Sequence, residues 1–187
     1  MIWRVEIKTK RGIFNSFTEG IQKDILDLGL NSVSKVEAIQ VYNLQGQLTE
    51  SQVRTICDQL LIDPITQEYS FANRLPTAEG PGDAKVIEIA YHLGVMDPVE
   101  ESTIKGIRDL GITQVEAVRT AKKYLLYGQI SSKDLDVIIN KVLANKLIQH
   151  VVDYSTPQES LILGVAKNKF SLVVVDLLQA NDQQLLK

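Results

Sequence analysis

Apolar and polar positions along the chain follow two spacings, and the order in which these spacings occur is itself repeated. Residues 2–8 alternate between apolar and charged side chains, which predicts a half-buried strand. Residues 16–28 and 49–61 carry apolar side chains at helical spacing, which predicts two amphipathic helices. Residues 35–46 and 65–71 return to an extended pattern. The first part of the chain is therefore predicted as strand, helix, strand, helix, strand.

Residues at the ends of the two predicted helices fit their boundaries. Ser16 and Thr49 are predicted N-caps, and the residues three positions on, Glu19 and Gln52, complete two capping boxes. Gly29 follows the last apolar residue of the first helix, where a left-handed C-cap needs no Cβ. The face of the first helix that is predicted to be buried contains Phe17, Ile21, Ile25 and Leu28.

A second run of the same elements is predicted further along the chain. Asp27-Leu28-Gly29 recurs as Asp109-Leu110-Gly111, and Gly46-Gln47-Leu48-Thr49 recurs at the same separation as Gly128-Gln129-Ile130-Ser131. We call this separation, from Asp27 to Asp109, the repeat offset. Internal similarity at a fixed spacing indicates a duplication.

The second run begins its first helix with a strong start signal. The helix is predicted to begin at Asp97-Pro98, with the aspartate as N-cap and the proline at the first helical position.

The two predicted copies differ in length at one place. Val36-Glu37-Ala38-Ile39 resembles Val115-Glu116-Ala117-Val118 at a separation three positions shorter than the repeat offset. Three positions are therefore predicted to be gained between helix and strand in the first copy and lost again before its Gly-Gln pair.

These elements predict an α+β fold of two duplicated β-α-β-α-β units that pair as a pseudo-dimer, with antiparallel or mixed sheets and helices packed on them. The first unit is assigned to residues 1–71 and the second to residues 85–153. The stretch 72–84 contains proline and glycine and is predicted to be a linker. Residues 154–187 belong to neither copy and are predicted to begin a further linker region that is truncated.

Composition and charge narrow the functional classes. The chain of 187 residues has a formal net charge of −3, so the basic footprint of a nucleic-acid-binding protein is missing. The longest apolar run is too short to span a membrane, and Arg4 and Glu6 within the first apolar stretch argue against a signal peptide. Cys57 is the single cysteine, which excludes an internal disulfide and fits a cytoplasmic protein.

No group of residues in the sequence has the spacing of a catalytic, cofactor-binding or metal site. The two histidines, His92 and His150, have no further metal-ligand residue near them in sequence. Cys57 falls on an apolar helix stripe and is predicted to be a small core residue rather than a nucleophile. Neither a P-loop nor a dinucleotide-binding glycine pattern is present.

Several segments of the second copy resemble PurS, the small subunit of phosphoribosylformylglycinamidine synthase. They are the alternating strand Val86 to Leu93, the helix start Asp97-Pro98, the run Val115 to Lys123, and Leu143-Ala144-Asn145-Lys146-Leu147-Ile148-Gln149. In the first copy, Leu61-Ile62-Asp63-Pro64 departs from the family's Leu-Ala-Asn. The second copy is therefore expected to match the family better than the first.

The resemblance implies a place in purine biosynthesis, in the ATP- and glutamine-dependent amidation of formylglycinamide ribonucleotide by a ligase. The chain is expected to be a non-catalytic assembly domain at the N-terminus of a fused or large synthase, holding its synthetase and glutaminase parts together. No cofactor is expected in this fragment, whereas ATP, Mg and glutamine are expected in the full complex. The expected partners are those two parts and, within the chain, the second repeat; neither nucleic acid nor a membrane is expected.

The candidate partner interface is either the outward face of the second copy's first strand or the strand end near Tyr124 and Tyr127. Lys122-Lys123 beside the two tyrosines makes a small basic and aromatic patch, for which a solvated strand edge or a partner contact is favoured over RNA binding. The candidate residues are Val86, Glu88, Ala90, His92, Tyr124 and Tyr127.

Two other functions stay open at this point. A ligand-sensing regulatory domain of tandem α+β units would bind an effector between its units, and Gly94 with His92 is the one hint of such a site. A stand-alone enzyme ranks third, because a nucleophile, a metal set and a phosphate loop are all missing from the sequence.

Overall fold

The computed structural model describes residues 1–73 and 81–154, and these ranges contain six strands and four α-helices. Helices α2 and α4 each continue into one π-helical turn, Cys57–Leu61 and Ile139–Leu143. The elements of the first half are β1 (Ile2–Thr9), α1 (Ser16–Asp27), β2 (Val33–Gly46), α2 (Glu50–Ile56) and β3 (Gln67–Ala72). Those of the second half are β4 (Lys85–Tyr91), α3 (Pro98–Asp109), β5 (Val115–Gly128), α4 (Ser132–Ile138) and β6 (Gln149–Val151).

All six strands belong to one antiparallel sheet with the order β3-β1-β2-β5-β4-β6. The long strands β2 and β5 lie at its centre and join the two halves of the chain. Their register is symmetric about the pair of Gln40 and Lys122. Val36 therefore faces Leu126 in the same way that Leu44 faces Val118. The expected α+β architecture is confirmed, and the sheet is antiparallel rather than mixed.

The predicted difference in length between the two halves is wrong. Helices α1 and α3 begin one repeat offset apart, and so do strands β2 and β5, which means that nothing is gained or lost between helix and strand. Val118 rather than Val115 thus occupies the position of Val36. A shift by three positions would also have moved each side chain to the opposite face of the sheet, because side chains alternate along a strand.

The start of α1 differs by one residue from the prediction. Asn15, not Ser16, is the N-cap, and its side-chain oxygen accepts hydrogen bonds from the backbone N–H groups of Phe17 (3.0 Å) and Thr18 (3.3 Å). Asparagine and serine are comparable caps, so the local sequence did not separate the two positions.

The other two predicted caps, Thr49 and Asp97, are confirmed. Thr49 and Gln52 form a capping box at α2, and Ser131 caps α4 by accepting from the Asp134 N–H at 3.1 Å. The Asp97 carboxylate accepts from the Val99 N–H at 2.8 Å. Asp97 is buried and also accepts a hydrogen bond from the hydroxyl of Thr120, which ties the start of α3 to β5.

The helices cover one face of the sheet, and each of the two cores beneath them is built from both halves. The first core contains α2 from the first half and α3 from the second; the other contains α1 from the first half and α4 from the second. Gly106 of α3 lies so close to Leu60 of the first half that an added Cβ would be 2.7 Å from its side chain. Members of the first core include Val5, Leu44, Val53, Ile56, Ile107 and Val118, and members of the second include Ile25, Val36, Ile87, Leu126 and Ile138.

Two of the four residues expected on the buried face of α1 are instead largely exposed. Ile21 and Ile25 are buried, but Phe17 and Leu28 at the ends of the helix are each 45% exposed. The predicted linker 72–84 lies partly outside the described residues, and the predicted terminal region 154–187 lies outside them except for Tyr154.

Candidate interface surfaces

The sheet face opposite the helices has a different chemical character in each half. Alternate side chains of β1 on this face are charged, namely Arg4, Glu6 and Lys8. The corresponding positions of β4 are Val86, Glu88 and Ala90. This second face of the sheet therefore contains an ionic cluster at its centre and an apolar cluster beside it.

The ionic cluster is organised around a buried pair that links the two halves. Arg4 and Glu88 are only 6% and 2% exposed, and the guanidinium donates to both carboxylate oxygens at 3.1 and 2.6 Å. The Tyr154 hydroxyl donates to the same carboxylate at 2.7 Å. Such a bidentate pair supplies direction as well as charge, because the planar fork of arginine matches a carboxylate.

Glu6 and Lys123 complete the cluster with one further negative and one further positive charge. Glu6 accepts from Arg4 Nε at 2.9 Å and from Lys123 Nζ at 3.2 Å. Burial alone would raise the pKa of Glu6, but the charges of Arg4 and Lys123 outweigh burial and lower it. Burial likewise opposes the charge of Arg4, and the contacts with Glu88 and Glu6 reverse this and raise the pKa of the guanidinium.

We expect Arg4→Met to lower the free energy of unfolding by about 3–5 kcal/mol, because it leaves the buried Glu88 carboxylate without its charged partner. Lys8→Met is the matched control, since Lys8 lies on the same strand and face but pairs with Glu68 where both side chains are at least half exposed. The control is expected to cost less than about 1 kcal/mol. Urea denaturation at pH 7 measures both; equal losses would contradict the prediction.

The apolar cluster of the second face lies on β2, β4 and β5. Its buried members are Ile39, Val41, Ala121 and Leu125, and partly buried Val86, Ala90 and Tyr127 pack against them. Three of the predicted interface residues thus adjoin one another here, but each is already partly buried within the chain.

The remaining predicted interface residues are placed differently. Glu88 is buried in the ionic cluster, and Tyr124 lies on the helix side of β5, where it is 4% exposed within the second core. Neither side chain presents a free surface, so these two assignments are corrected. Burial raises the pKa of Tyr124 to about 12.

His92 is exposed and stacks on His150, with ring centroids 5.1 Å apart and planes inclined by 22°. Burial is the main cause that lowers the pKa of the His150 imidazole, and the charge of the neighbouring His92 lowers it further. Among the described residues there is no group of three or more His, Cys, Asp or Glu side chains that could hold a metal ion. Cys57 is fully buried, and burial raises the pKa of its thiol to about 12, so it has the environment of a core residue.

The basic and aromatic patch predicted around Lys122 is divided by the strand. Lys122 lies on the helix side, with its Nζ 4.5 Å from the centre of the Phe17 ring, whereas Lys123 is buried in the ionic cluster on the opposite face. Tyr127 also lies on the opposite face, where Lys35 contacts its ring at 5.4 Å. Neighbouring residues on a strand point in opposite directions, which the prediction of the patch did not take into account.

A second surface, not recognised in the sequence, follows β1. We call it the β1–α1 surface and define it by Lys10, Arg11, Ile13, Phe14 and Phe17. Ile13 is 44% and Phe14 76% exposed, close to the half-buried Lys10 and the exposed Arg11. The signal in the sequence is the basic pair Lys10-Arg11, which is followed after Gly12 by the two large apolar residues Ile13 and Phe14.

In the part of the chain that the structure describes, no helix is long and apolar enough to cross a membrane.

Comparison with known proteins gives one family match. Residues 2–74 match the family model described as PurS: phosphoribosylformylglycinamidine (FGAM) synthase. No curated protein matches the chain. The match falls on the first half, whereas the motifs in the sequence pointed more strongly to the second. Residues 2–74 are therefore a PurS-like domain.

Proposed function

We propose that this chain is a non-catalytic structural part of FGAM synthase, in which two PurS-like units form an intramolecular pseudo-dimer. The observation that carries the proposal is the constant repeat offset between corresponding elements of the two halves, of which the first matches the PurS family. The symmetric register of β2 and β5 supports it, because two identical units related by a twofold axis would pair in this way.

The pseudo-dimer would hold the synthetase and glutaminase parts of the enzyme against each other in the cytoplasm. ATP, Mg and glutamine would be bound by those parts, and the present chain would contribute surface rather than chemistry. This role is supported by the way the halves are joined, since the central strands pair with each other and both cores contain residues of each half.

The test is reconstitution of the synthase from the purified chain and the synthetase and glutaminase of the same organism. If the chain couples the two activities, glutamine-dependent amidation should require it, whereas amidation supplied directly with ammonia should not. Size-exclusion chromatography of the mixtures reports the complex itself. Full glutamine-dependent activity in its absence, with no complex formed, would contradict the proposal. A thermal shift caused by an amino acid or a purine nucleotide would instead support a ligand-sensing domain.

A further inference from the structure

The β1–α1 surface exposes apolar side chains without any neighbour among the described residues that covers them. Ile13 and Phe14 are 44% and 76% exposed, and Phe17 at the start of α1 is 45% exposed. Lys122 Nζ lies over the Phe17 ring, so one face of the ring contacts a cation. Aromatic side chains and arginine are enriched in protein–protein interfaces, and this surface contains both.

Hydrogen bonds hold the loop in its observed shape, so the surface is formed in advance. The Ile13 N–H donates to the Lys10 carbonyl at 3.1 Å, and Gly12 has a positive φ of 86°, which allows the tight turn. Asn15 caps α1 and also donates to the Thr9 hydroxyl at 2.9 Å. A loop that is already ordered loses little conformational entropy when it binds.

The charge around this surface is positive, although the whole chain carries a net charge of −3. A cleft of about 520 Å³ beside the loop is lined by four cations and three carboxylates. Two of these carboxylates are paired with lysines of the same cleft. Arg11 has no ion pair with any residue in the described ranges. The cations are Lys8, Lys10, Arg11 and Lys35, and the carboxylates are Glu19, Glu37 and Glu68.

The corresponding loop of the second half has the same apolar exposure without this charge. Met96, which is 72% exposed, corresponds to Phe14 at the repeat offset, and Val99, 41% exposed, corresponds to Phe17. His92 and Leu93 stand at the positions of Lys10 and Arg11. The two loops therefore share apolar exposure and differ in charge, and the difference favours an anionic partner at the first loop.

We infer that the β1–α1 surface binds a protein segment that carries carboxylates next to apolar side chains, with Phe14 as the apolar anchor and Arg11 as the cation that pairs with a carboxylate. This inference rests on the proposed function, because the segment would belong to the synthetase or the glutaminase. The positive loop steers the acidic segment, and Phe14 loses its exposed area on binding.

The test compares four variants of the full chain by isothermal titration with the purified synthetase and with the purified glutaminase. Phe14→Ser and Arg11→Glu are expected to weaken binding to one of the two by roughly tenfold or more. Met96→Ser and Lys133→Glu are the matched controls, because they make the same kinds of change at exposed positions elsewhere, and they should bind as the wild type does. Raising the salt concentration should weaken the wild type more than Arg11→Glu.

Each result decides a different point. If all four variants bind as tightly as the wild type, the inference about the β1–α1 surface is overturned and the proposed function stays intact. Failure of the wild type to bind either protein would overturn both. Self-association of the wild type that Phe14→Ser abolishes, measured by sedimentation velocity, would assign the surface to a second copy of the chain and overturn the inference. Thermal unfolding of each variant confirms that it is folded.

Discussion

Replacing Gly128 with alanine is expected to lower the free energy of unfolding by about 3–5 kcal/mol. Gly128 ends β5 with φ at +129°, which side chains rarely tolerate, and it faces Val33 in the central strand pair. A Cβ at this position would lie 2.0 Å from the Ser32 carbonyl oxygen. Because the clash is with backbone, relief requires a shift of the strand that joins the two halves.

Gly46, at the corresponding position at the end of β2, allows the same substitution to be tested. Its φ is +148°, and an added Cβ would lie 2.1 Å from the Gln114 carbonyl oxygen, so Gly46→Ala should cost a similar amount. Gly20→Ala is the control, since Gly20 lies within α1 with nothing within 4 Å of the added carbon. The control should stabilise the protein by about 0.5–1 kcal/mol. Urea midpoints measure all three; a Gly128→Ala midpoint equal to that of the wild type would refute the geometry.

Separating the halves is expected to abolish the folded monomer. A protease site inserted within residues 74–80 and then cleaved should leave the two fragments associated, because β2 pairs with β5 and both cores contain helices from each half. Once separated in denaturant and diluted alone, neither fragment has a complete core to bury. Each half alone should then show no cooperative unfolding transition as a monomer. The alternative is a homodimer in which β2, or β5, pairs with the same strand of a second copy.

The measurement combines sedimentation velocity with urea denaturation followed by circular dichroism. The uncleaved chain with the inserted site serves as control and should match the wild type. A separated half that is monomeric and unfolds cooperatively would contradict the shared cores. Mixing the two halves should restore a cooperative transition, because each supplies the helices that the other lacks, and its midpoint should rise with protein concentration.

Much of the local structure could be predicted from the sequence because its causes are local. The alternation in residues 2–8 predicted β1, and the capping box at Thr49 predicted the start of α2, since both depend on residues close in the chain. Asn15 was missed because it stands next to an equally suitable serine. The resemblance of the segments that begin at Val36 and Val115 was misleading, because a short apolar and acidic motif can match by chance at a neighbouring register.

The interface was harder to predict because it depends on which strand face each residue occupies and what covers that face. Tyr124 and Tyr127 look equivalent in the sequence, yet one is in a core and the other is only partly buried on the opposite face. Phe14 was missed because helical and strand periodicity say nothing about a loop. Its importance depends on exposure and on the cations around it.

The sequence by itself determined the order of the elements, most of their boundaries and the repeat offset, because hydrophobic periodicity, capping and glycine turns act over short stretches of chain. Only the tertiary structure decided that α1 shares a core with α4, that α2 shares one with α3, and that Arg4 meets Glu88 across the centre of the sheet. The physical reason is the pairing of β2 with β5. It brings residues from opposite halves into contact, and no local pattern specifies which of them will meet.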